Sequence, residues 1–390
     1  MVHQYRNQPL RGFYLLYEFT ALITFRLPYW VVRNSLRPLR ARRSWSLRKA
    51  VFVELVKRIS KITTKVDGIK FIADHTTVTQ GPDIKHVWLD PIPDLLNNKL
   101  RAWAAKVNVV PASIPGYWFD KQGVDTPIGA PPRPGEKVIY SLHGGGYTRY
   151  SASPKDLIAR ILHGLLENCT DVQRIFAAEY RLSRAAPEDT PAHAFPAALL
   201  DALAGYTYLV ETVGFAPQDI VIEGDSAGGN LALALTRYLV ENAGSVAGLP
   251  APPGALLLLS PWVDLTIKSP EPGSRAAANS SADYLGLPEA GDYARRAFLG
   301  PHDPLDPYIS PGSNDPRMPP VSFEGFPHTF IVAGGAELLI DEIGVLVERM
   351  KDSLGEKVTY YEAPDAVHDY IVFRWAEPER TIRSRRSLSG

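Results

Sequence analysis

The sequence predicts an α/β protein in which a mostly parallel central sheet carries helices on both faces. From residue 138 onward, short apolar runs alternate with helical patterns, an order typical of βαβ units in a doubly wound sheet. The run at residues 255–259 is continuously apolar, as in strands that are buried on both faces. Residues 224–230 form a turn of small residues between an apolar run and a helical pattern, and they indicate where the chemistry lies.

The alternation can be followed along the chain. Apolar runs predict strands at residues 138–142, 174–178, 220–222, 255–259, 329–333 and 358–361. Apolar residues at helical spacing predict helices at residues 154–168, 197–213, 231–239 and 338–350. Residues 261–325 are rich in Pro, Gly, Ser and Asp, with one candidate helix at residues 290–298. An interval of that length without a strand is too long for a plain connection, so we predict an inserted cap segment.

The turn at residues 224–230 reads Gly-Asp-Ser-Ala-Gly-Gly-Asn. A serine on a strained strand-to-helix turn needs small neighbours, because adjacent backbone approaches it closely. The helix that begins after Ser226 would point free amides and its positive dipole end toward an anion beside the hydroxyl. The motif therefore predicts Ser226 as a nucleophile.

A second motif follows the strand predicted at residues 138–142, where residues 143–147 read His-Gly-Gly-Gly-Tyr. Esterases use this triplet to supply oxyanion-binding amides. Together the two motifs resemble the hormone-sensitive lipase branch of the α/β-hydrolases, and the resemblance covers roughly residues 135–375. Within that branch the chain is most similar to fungal esterases that resemble steryl acetyl hydrolases. Further matches are Tyr-Arg-Leu at 180–182, Phe-Pro-Ala-Ala at 195–198, Ser-Pro-Trp at 260–262 and Tyr-Ile-Ser-Pro at 308–311.

The resemblance implies an α/β-hydrolase fold and oxyanion donors at the backbone amides of Gly145, Gly146 and Ala227. It also implies a serine esterase that needs no metal and no cofactor. We expect His143 to orient the glycine loop and Asp225 to accept a hydrogen bond that fixes it.

The general base should be a histidine downstream of Ser226, since the chain order in these hydrolases is Ser, acid, His. His368 lies just after the last predicted strand, at the carboxyl edge of the sheet where the serine turn also ends. His328 immediately precedes a strand and should lie at the opposite edge. We predict His368 as the base, with His328 as the rival.

The triad acid should lie in residues 334–341, which read Gly-Gly-Ala-Glu-Leu-Leu-Ile-Asp. The related enzymes carry Asp-Pro-Leu-x-Asp here, with the first acid catalytic, so the resemblance assigns the role to Glu337. Ser-His-acid triads use both Asp and Glu. Asp341 remains the alternative, and its other interpretation is a helix-surface carboxylate near a first turn.

Composition limits the remaining functions. The chain has 390 residues, 45% of them hydrophobic, and no net charge, which indicates a globular protein and argues against a general nucleic-acid binder. The single cysteine, Cys169, cannot form an internal disulfide. The charge is unevenly distributed, because residues 1–70 contain 15 Lys and Arg against 3 Asp and Glu. We predict a basic N-terminal region at residues 1–134, a catalytic domain at residues 135–377 and a frayed tail at residues 378–390.

Residues 12–32 are apolar over nearly the length of a membrane span, but Glu18, Arg26 and Pro28 interrupt them. Their aromatic residues and the arginines that follow suit a membrane boundary. The segment could span a membrane, lie flat on it with Glu18 and Arg26 at the headgroups, or form a soluble cap helix. We expect membrane association, with the endoplasmic reticulum implied by the resemblance and a cytoplasmic enzyme as the alternative.

The sequence thus predicts a serine carboxylesterase that cleaves short-acyl or acetyl esters of apolar alcohols through an acyl-enzyme. Two alternatives remain open. One is a ligand-binding protein that keeps the hydrolase fold without catalysis, although its triad would usually be broken. The other is an amidase or lactonase with the same triad, since pocket shape sets the leaving-group preference.

Overall fold

Eight strands form one sheet in the order β1-β2-β4-β3-β5-β6-β7-β8. The computed structural model describes residues 3–67, 75–266, 269–285 and 288–373 of the chain. Strands β3 to β8 are parallel, and β1 and β2 add an antiparallel edge. The predicted mostly parallel sheet is therefore confirmed. The strands are Lys85–Leu89 (β1), Ile114–Asp120 (β2), Lys137–Leu142 (β3), Val172–Ala178 (β4), Ile220–Asp225 (β5), Ala255–Leu259 (β6), His328–Gly334 (β7) and Val358–Ala363 (β8).

Helices cover both faces of the sheet. Those longer than one turn are Leu10–Ala21 (α1), Leu27–Ser35 (α2), Leu47–Val66 (α3), Asn98–Lys106 (α4), Ala159–Asn168 (α5), Ala197–Thr207 (α6), Ala227–Glu241 (α7), Arg275–Asn279 (α8), Pro288–Leu299 (α9) and Ile340–Leu354 (α10). Side chains from α4, α6, α7 and α10 share one buried cluster, and side chains from α3 and α5 share another. Central strand β5 shows why both faces need apolar residues, because Ile220 and Ile222 belong to the first cluster while Val221 packs against the second.

The sheet begins well before residue 135, where the sequence places the start of the catalytic domain. β1 pairs with β2, and β2 pairs with β4, so residues 85–120 contribute two strands. The sequence did not predict β2, because this strand contains Pro115 and lies in a proline-rich region. The apolar residues at 107–110 also predict a short strand, and this prediction is wrong, since α4 ends there and Asn108 takes a left-handed φ of 54°. Another, expected at residues 70–73, lies outside the described residues, as does the predicted tail.

Between β6 and β7, the described residues contain helices α8 and α9 but no strand, as expected for the 261–325 segment. α9 packs on the loop that follows β3. The Phe298 ring stacks on Tyr147 with 3.8 Å between centroids, and the Phe298 carbonyl accepts a hydrogen bond from the Phe195 amide at 2.6 Å. The segment is therefore fixed against the glycine motif.

The N-terminal helices form a hairpin. α1 continues through a π-helical turn, Leu22–Arg26, into α2, and this helix packs on α3. Glu18 is 3% exposed and accepts hydrogen bonds from Arg58 and, at 2.7 Å, from Arg26. In the flat-lying alternative Glu18 and Arg26 would extend to lipid headgroups; that detail is wrong, because Glu18 pairs with Arg58 of α3 and Arg26 pairs with Glu18. Among the described residues, none of the helices has both the length and the apolar character needed to span a membrane.

Candidate active site

Ser226 lies between β5 and α7 on a strained turn, with φ of 51° and ψ of −116°. Small residues make the turn possible. A Cβ on Gly224 would lie 2.3 Å from the Gly228 carbonyl oxygen, and a Cβ on Gly228 would lie 1.8 Å from the Leu142 carbonyl oxygen. Only glycine fits at either position, so the backbone holds the Ser226 hydroxyl at the carboxyl edge of the sheet.

The glycine loop after β3 is tied to this turn. Asp225 Oδ1 accepts a hydrogen bond from the Gly144 amide at 2.8 Å. The His143 ring stacks on Tyr180, with 4.2 Å between centroids, and its Nδ1 lies 2.7 Å from the Gly144 carbonyl oxygen. Burial lowers the pKa of His143 to about 4, so this imidazole is neutral at neutral pH. Both residues make the structural contacts that the sequence predicts for them.

The three expected oxyanion donors lie on these two segments. Gly145 and Gly146 take positive φ values of 111° and 61°, and Ala227 is the first residue of α7. Within the described part of the chain, their amides donate to no protein acceptor. Free amides at a helix start and on a glycine loop are the groups that stabilise a tetrahedral oxyanion.

His368 and Glu337 come together from two neighbouring strand ends. His368 follows β8 and Glu337 follows β7, and the His368 Nδ1 atom lies 3.5 Å from Glu337 Oε2. The two side chains are 2% and 0% exposed. Across the described residues, neither Glu337 oxygen makes a hydrogen bond within normal distance. The carboxylate faces the imidazole, with the Ser260 side chain as a second polar neighbour.

Burial and charge act in opposite directions on this pair. Burial alone would lower the pKa of His368, but Asp369 first and Glu337 next outweigh burial and raise it well above its ordinary value. Burial raises the pKa of Glu337, and the facing imidazole opposes that rise. The two groups thus stabilise each other as an ion pair when His368 is protonated.

The rival residues lie elsewhere. His328 is the first residue of β7 and is exposed, at the edge of the sheet opposite the Ser226 turn. Asp341 Oδ2 accepts the Ala276 amide at 2.9 Å, so this carboxylate contacts the first turn of α8. The structure therefore brings Glu337, and not Asp341, to the His368 imidazole.

Asp283 is a site residue that sequence reasoning missed. It is fully buried, and its Oδ2 accepts the Leu338 amide at 2.7 Å. Its Oδ1 lies 3.4 Å from the His368 amide nitrogen that donates to it. Asp283 thereby links the Glu337 loop to the His368 loop. No sequence signal could have found it, because it lies in the irregular 261–325 segment and its role depends on two loops distant in sequence.

The hydrogen bond expected between Ser226 and His368 is not formed in this structure. Within the described residues, Ser226 Oγ makes no hydrogen bond, and His368 Nε2 instead lies 2.9 Å from Asp369 Oδ2. Catalytic hydrogen bonds are often long before substrate binds and shorten in the complex. Asp369 was also missed, because its contact depends on loop conformation.

A cavity of about 690 Å³ opens beside this site. Asp369 lies in its wall, next to the imidazole, and much of the remaining wall is apolar. Helix α3 forms part of the wall through Val56 and Ile59, and α9 contributes Tyr293. The N-terminal hairpin and the 261–325 segment therefore both cover the cavity.

Comparison with known proteins identifies the family. A model of the alpha/beta hydrolase fold matches residues 139–372, more than half of the chain. An acetyl-hydrolase from Streptomyces hygroscopicus is 31% identical over 248 residues, covering 64% of this chain and 72% of that protein. The esterase LipU from Mycobacterium tuberculosis is 28% identical over 261 residues, covering 65% of this chain and 76% of that protein.

A solved hormone-sensitive lipase from a metagenome library aligns with a TM-score of 0.54 at 29% identity, covering 70% of this chain and 79% of that one. The chain belongs to the alpha/beta hydrolase fold family. Within it, the chain is similar to hormone-sensitive lipase and to esterases, which confirms the predicted branch.

The glycine loop allows a direct test of the oxyanion donors. A Cβ on Gly145 would lie 2.2 Å from the Arg149 carbonyl oxygen, at a φ that other residues rarely adopt. Gly145→Ala should therefore displace the loop and lower kcat on a nitrophenyl ester by roughly 10²-fold or more. Gly344→Ala, in α10 with nothing within 4 Å of the added Cβ, is the control and should keep wild-type kcat. Equal kcat in the two variants would remove Gly145 from the oxyanion hole.

Proposed function

We propose that the chain is a serine carboxylesterase in which Ser226 is the nucleophile, His368 the general base and Glu337 the acid that orients it. One observation carries the proposal: the strained Ser226 turn, the His368 loop and the Glu337 loop all lie at the carboxyl edge of one sheet. Ligands of open α/β sheets bind at this edge. The esterase relatives support the reaction class.

The proposed residues account for both halves of the reaction. His368 Nε2 takes the Ser226 proton as Oγ attacks the ester carbonyl carbon, and the amides of Gly145, Gly146 and Ala227 bind the oxyanion. The imidazolium, stabilised by Glu337, gives its proton to the leaving alcohol as the C–O bond breaks. Water then attacks the acyl-enzyme, with His368 again as the base, and releases the acid and free Ser226.

The cavity supports an apolar alcohol as the leaving group. Its volume of about 690 Å³ lies within the range of small-molecule sites, and most of its wall area is apolar, from side chains such as Ile59, Leu157 and Phe373, although ionisable residues such as Arg149 and Asp156 line it too. The acetyl-hydrolase relative supports a short acyl group. We therefore propose short-acyl or acetyl esters of apolar alcohols as substrates.

The triad makes a prediction that separates Glu337 from Asp341. Glu337→Gln should lower kcat on nitrophenyl acetate by about 10²–10⁴-fold, because the imidazole loses its counter-charge. Asp341→Asn is the matched control and should change kcat only slightly, since its carboxylate contacts α8. The reverse result would transfer the role of triad acid to Asp341.

The same assay distinguishes the alternative functions when each nitrophenyl ester is paired with its anilide and with a lactone. Wild-type turnover of the esters alone is the result we expect. Preferred turnover of anilides or lactones would indicate an amidase or lactonase with the same triad. Tight binding of apolar ligands with no turnover of any substrate would favour a ligand-binding protein.

We also propose that the chain associates with membranes through residues 10–36, lying flat on the bilayer. Every exposed residue in this range is apolar or is Gly, Pro, Ser, Thr or Tyr, whereas Arg11, Glu18, Arg26 and Arg33 are partly or fully buried. Arg33, whose side chain is 40% exposed, pairs with Glu54 of α3. An outward surface of this length whose most exposed side chains are uncharged is unusual on a water-soluble protein. Its large exposed side chains are Leu10, Phe13, Leu16, Tyr17, Phe19, Ile23, Phe25, Leu27, Tyr29, Val31, Val32 and Leu36.

Charge next to this surface favours an anionic bilayer as the partner. Arg37, Arg43 and Arg48 follow the helix and are exposed. A helix that buries apolar side chains at the acyl boundary while arginines meet anionic headgroups is the usual arrangement of an interfacial anchor. The endoplasmic reticulum stays a prediction from the resemblance.

Flotation with vesicles containing phosphatidylserine tests the surface. Phe25 and Val32 are 73% and 70% exposed, so Phe25→Glu with Val32→Glu should reduce vesicle binding by about tenfold or more without unfolding the protein. The control pair, Val110→Glu with Ile128→Glu, changes exposed apolar residues elsewhere and should bind like wild type. Equal recovery of all three proteins, bound or free, would contradict the proposal.

A further inference from the structure

The Asp369 carboxylate contacts Nε2 of His368, the nitrogen that must accept the serine proton in the proposed reaction. Its Oδ2 lies 2.9 Å from His368 Nε2, while Glu337 faces the other nitrogen, Nδ1, at 3.5 Å. In a triad the acid holds Nδ1, and Nε2 accepts the serine proton. The carboxylate of Asp369 therefore stands where the Ser226 hydroxyl must bind.

The conformation of Asp369 holds the carboxylate in this position. The residue has φ of 44° and ψ of 39°, in the left-handed region, and its amide donates to Ser260 Oγ at 3.3 Å. Asp369 is 7% exposed, and within the described residues its Oδ1 has no hydrogen-bond partner. In the described part of the chain, the His368 imidazole is thus the polar group that the Asp369 carboxylate contacts.

Whether the contact between Asp369 and His368 Nε2 persists depends on the groups around it. The titratable groups that face His368 or Asp369 from the packed elements are Glu337 after β7, Asp283 and Tyr284 from the segment after α8, Glu223 and Asp225 on β5, and Tyr150 after β3. These groups are all acids or phenols. The cation beside them is Arg149, which lines the same cavity and donates a hydrogen bond to Thr64 Oγ1 at 3.4 Å. Since Asp369 also lines the cavity, a molecule entering the cavity meets this carboxylate next to the base.

We propose that Asp369 is a positioning residue that holds His368 Nε2 in the resting enzyme and is displaced when an ester binds. This inference rests on the proposed esterase function. The exchange breaks the contact between Nε2 and Asp369 and forms the hydrogen bond between Ser226 Oγ and Nε2. The resting imidazolium, held between two carboxylates, must first lose one proton to water, because only neutral imidazole can accept the serine proton.

The contact between Asp369 and His368 should change the pH dependence with which Ser226 reacts. Two carboxylates favour the imidazolium more than one does, so the pKa of His368 is raised and the base becomes available only at higher pH. Removing the Asp369 charge should lower that pKa and move the acid limb of the rate profile to lower pH. Glu337 remains in place in such a variant, so the triad itself is intact.

The experiment measures the labelling rate of Ser226 by a fluorophosphonate, together with kcat/KM for nitrophenyl acetate, between about pH 4 and pH 9. Asp369→Asn suits the left-handed backbone, because Asn is enriched there. We expect its acid limb to move down by about one to three pH units in both measurements. Asp369→Gly also suits that backbone and should shift the limb in the same direction, which keeps the test available if the Asn variant does not fold.

Two controls separate positioning from packing. Asp369→Glu keeps the charge and should leave the limb near the wild-type pH. Asp365→Asn removes a charge from the same loop, where Asp365 contacts Ser44 and Arg42, and should not move the limb. A uniform loss of rate at every pH in Asp369→Asn and Asp369→Gly, with the limb unmoved, would overturn the proposal. Absence of labelling at Ser226 in every protein would instead overturn the esterase function.

Discussion

The site depends on the close approach of the first turn of α7 to the end of β3. The Gly228 backbone lies against the Leu142 carbonyl oxygen, where a Cβ would be only 1.8 Å away. This approach brings the start of α7 beside the glycine loop, and the bond from Gly144 to Asp225 fixes the two together. The position of the proposed oxyanion amides beside the strained Ser226 turn follows from it, because a displaced helix would separate them.

Buried charge is the second organising feature. His368, Glu337, Asp369 and Asp283 are almost completely removed from solvent within a small volume. Removing charges from water is costly, so each carboxylate here needs an imidazole or backbone amides as partners. Backbone amides satisfy Asp283, whereas Glu337 and Asp369 share the one imidazole. If His368 is the base, as we propose, its reactivity depends on the contacts that these two carboxylates make with its two ring nitrogens.

Sequence was sufficient where the structure is local. A strand, a turn of small residues and a helix specify the Ser226 turn without reference to distant residues, and the same holds for the glycine loop. Contacts between segments that are distant in sequence could not be predicted from it. β1 and β2 are defined by pairing, Asp283 by two loops that it joins, and Glu18 by Arg58 on another helix. Because Glu18 pairs inward with Arg58, it does not extend to headgroups as the flat-lying alternative supposes, and the most exposed side chains of the N-terminal helix are uncharged.

The N-terminal hairpin takes part in both the cavity and the proposed membrane surface, since α3 lines the cavity while α1 and α2 present the apolar surface. The central claim remains that Ser226 is the nucleophile. Mass spectrometry of peptides from the intact chain after exposure to a fluorophosphonate tests it most directly. We expect one adduct, on Ser226, that is absent from Ser226→Ala. An adduct on any other residue, or none in a folded protein across the pH range of the assay, would contradict it.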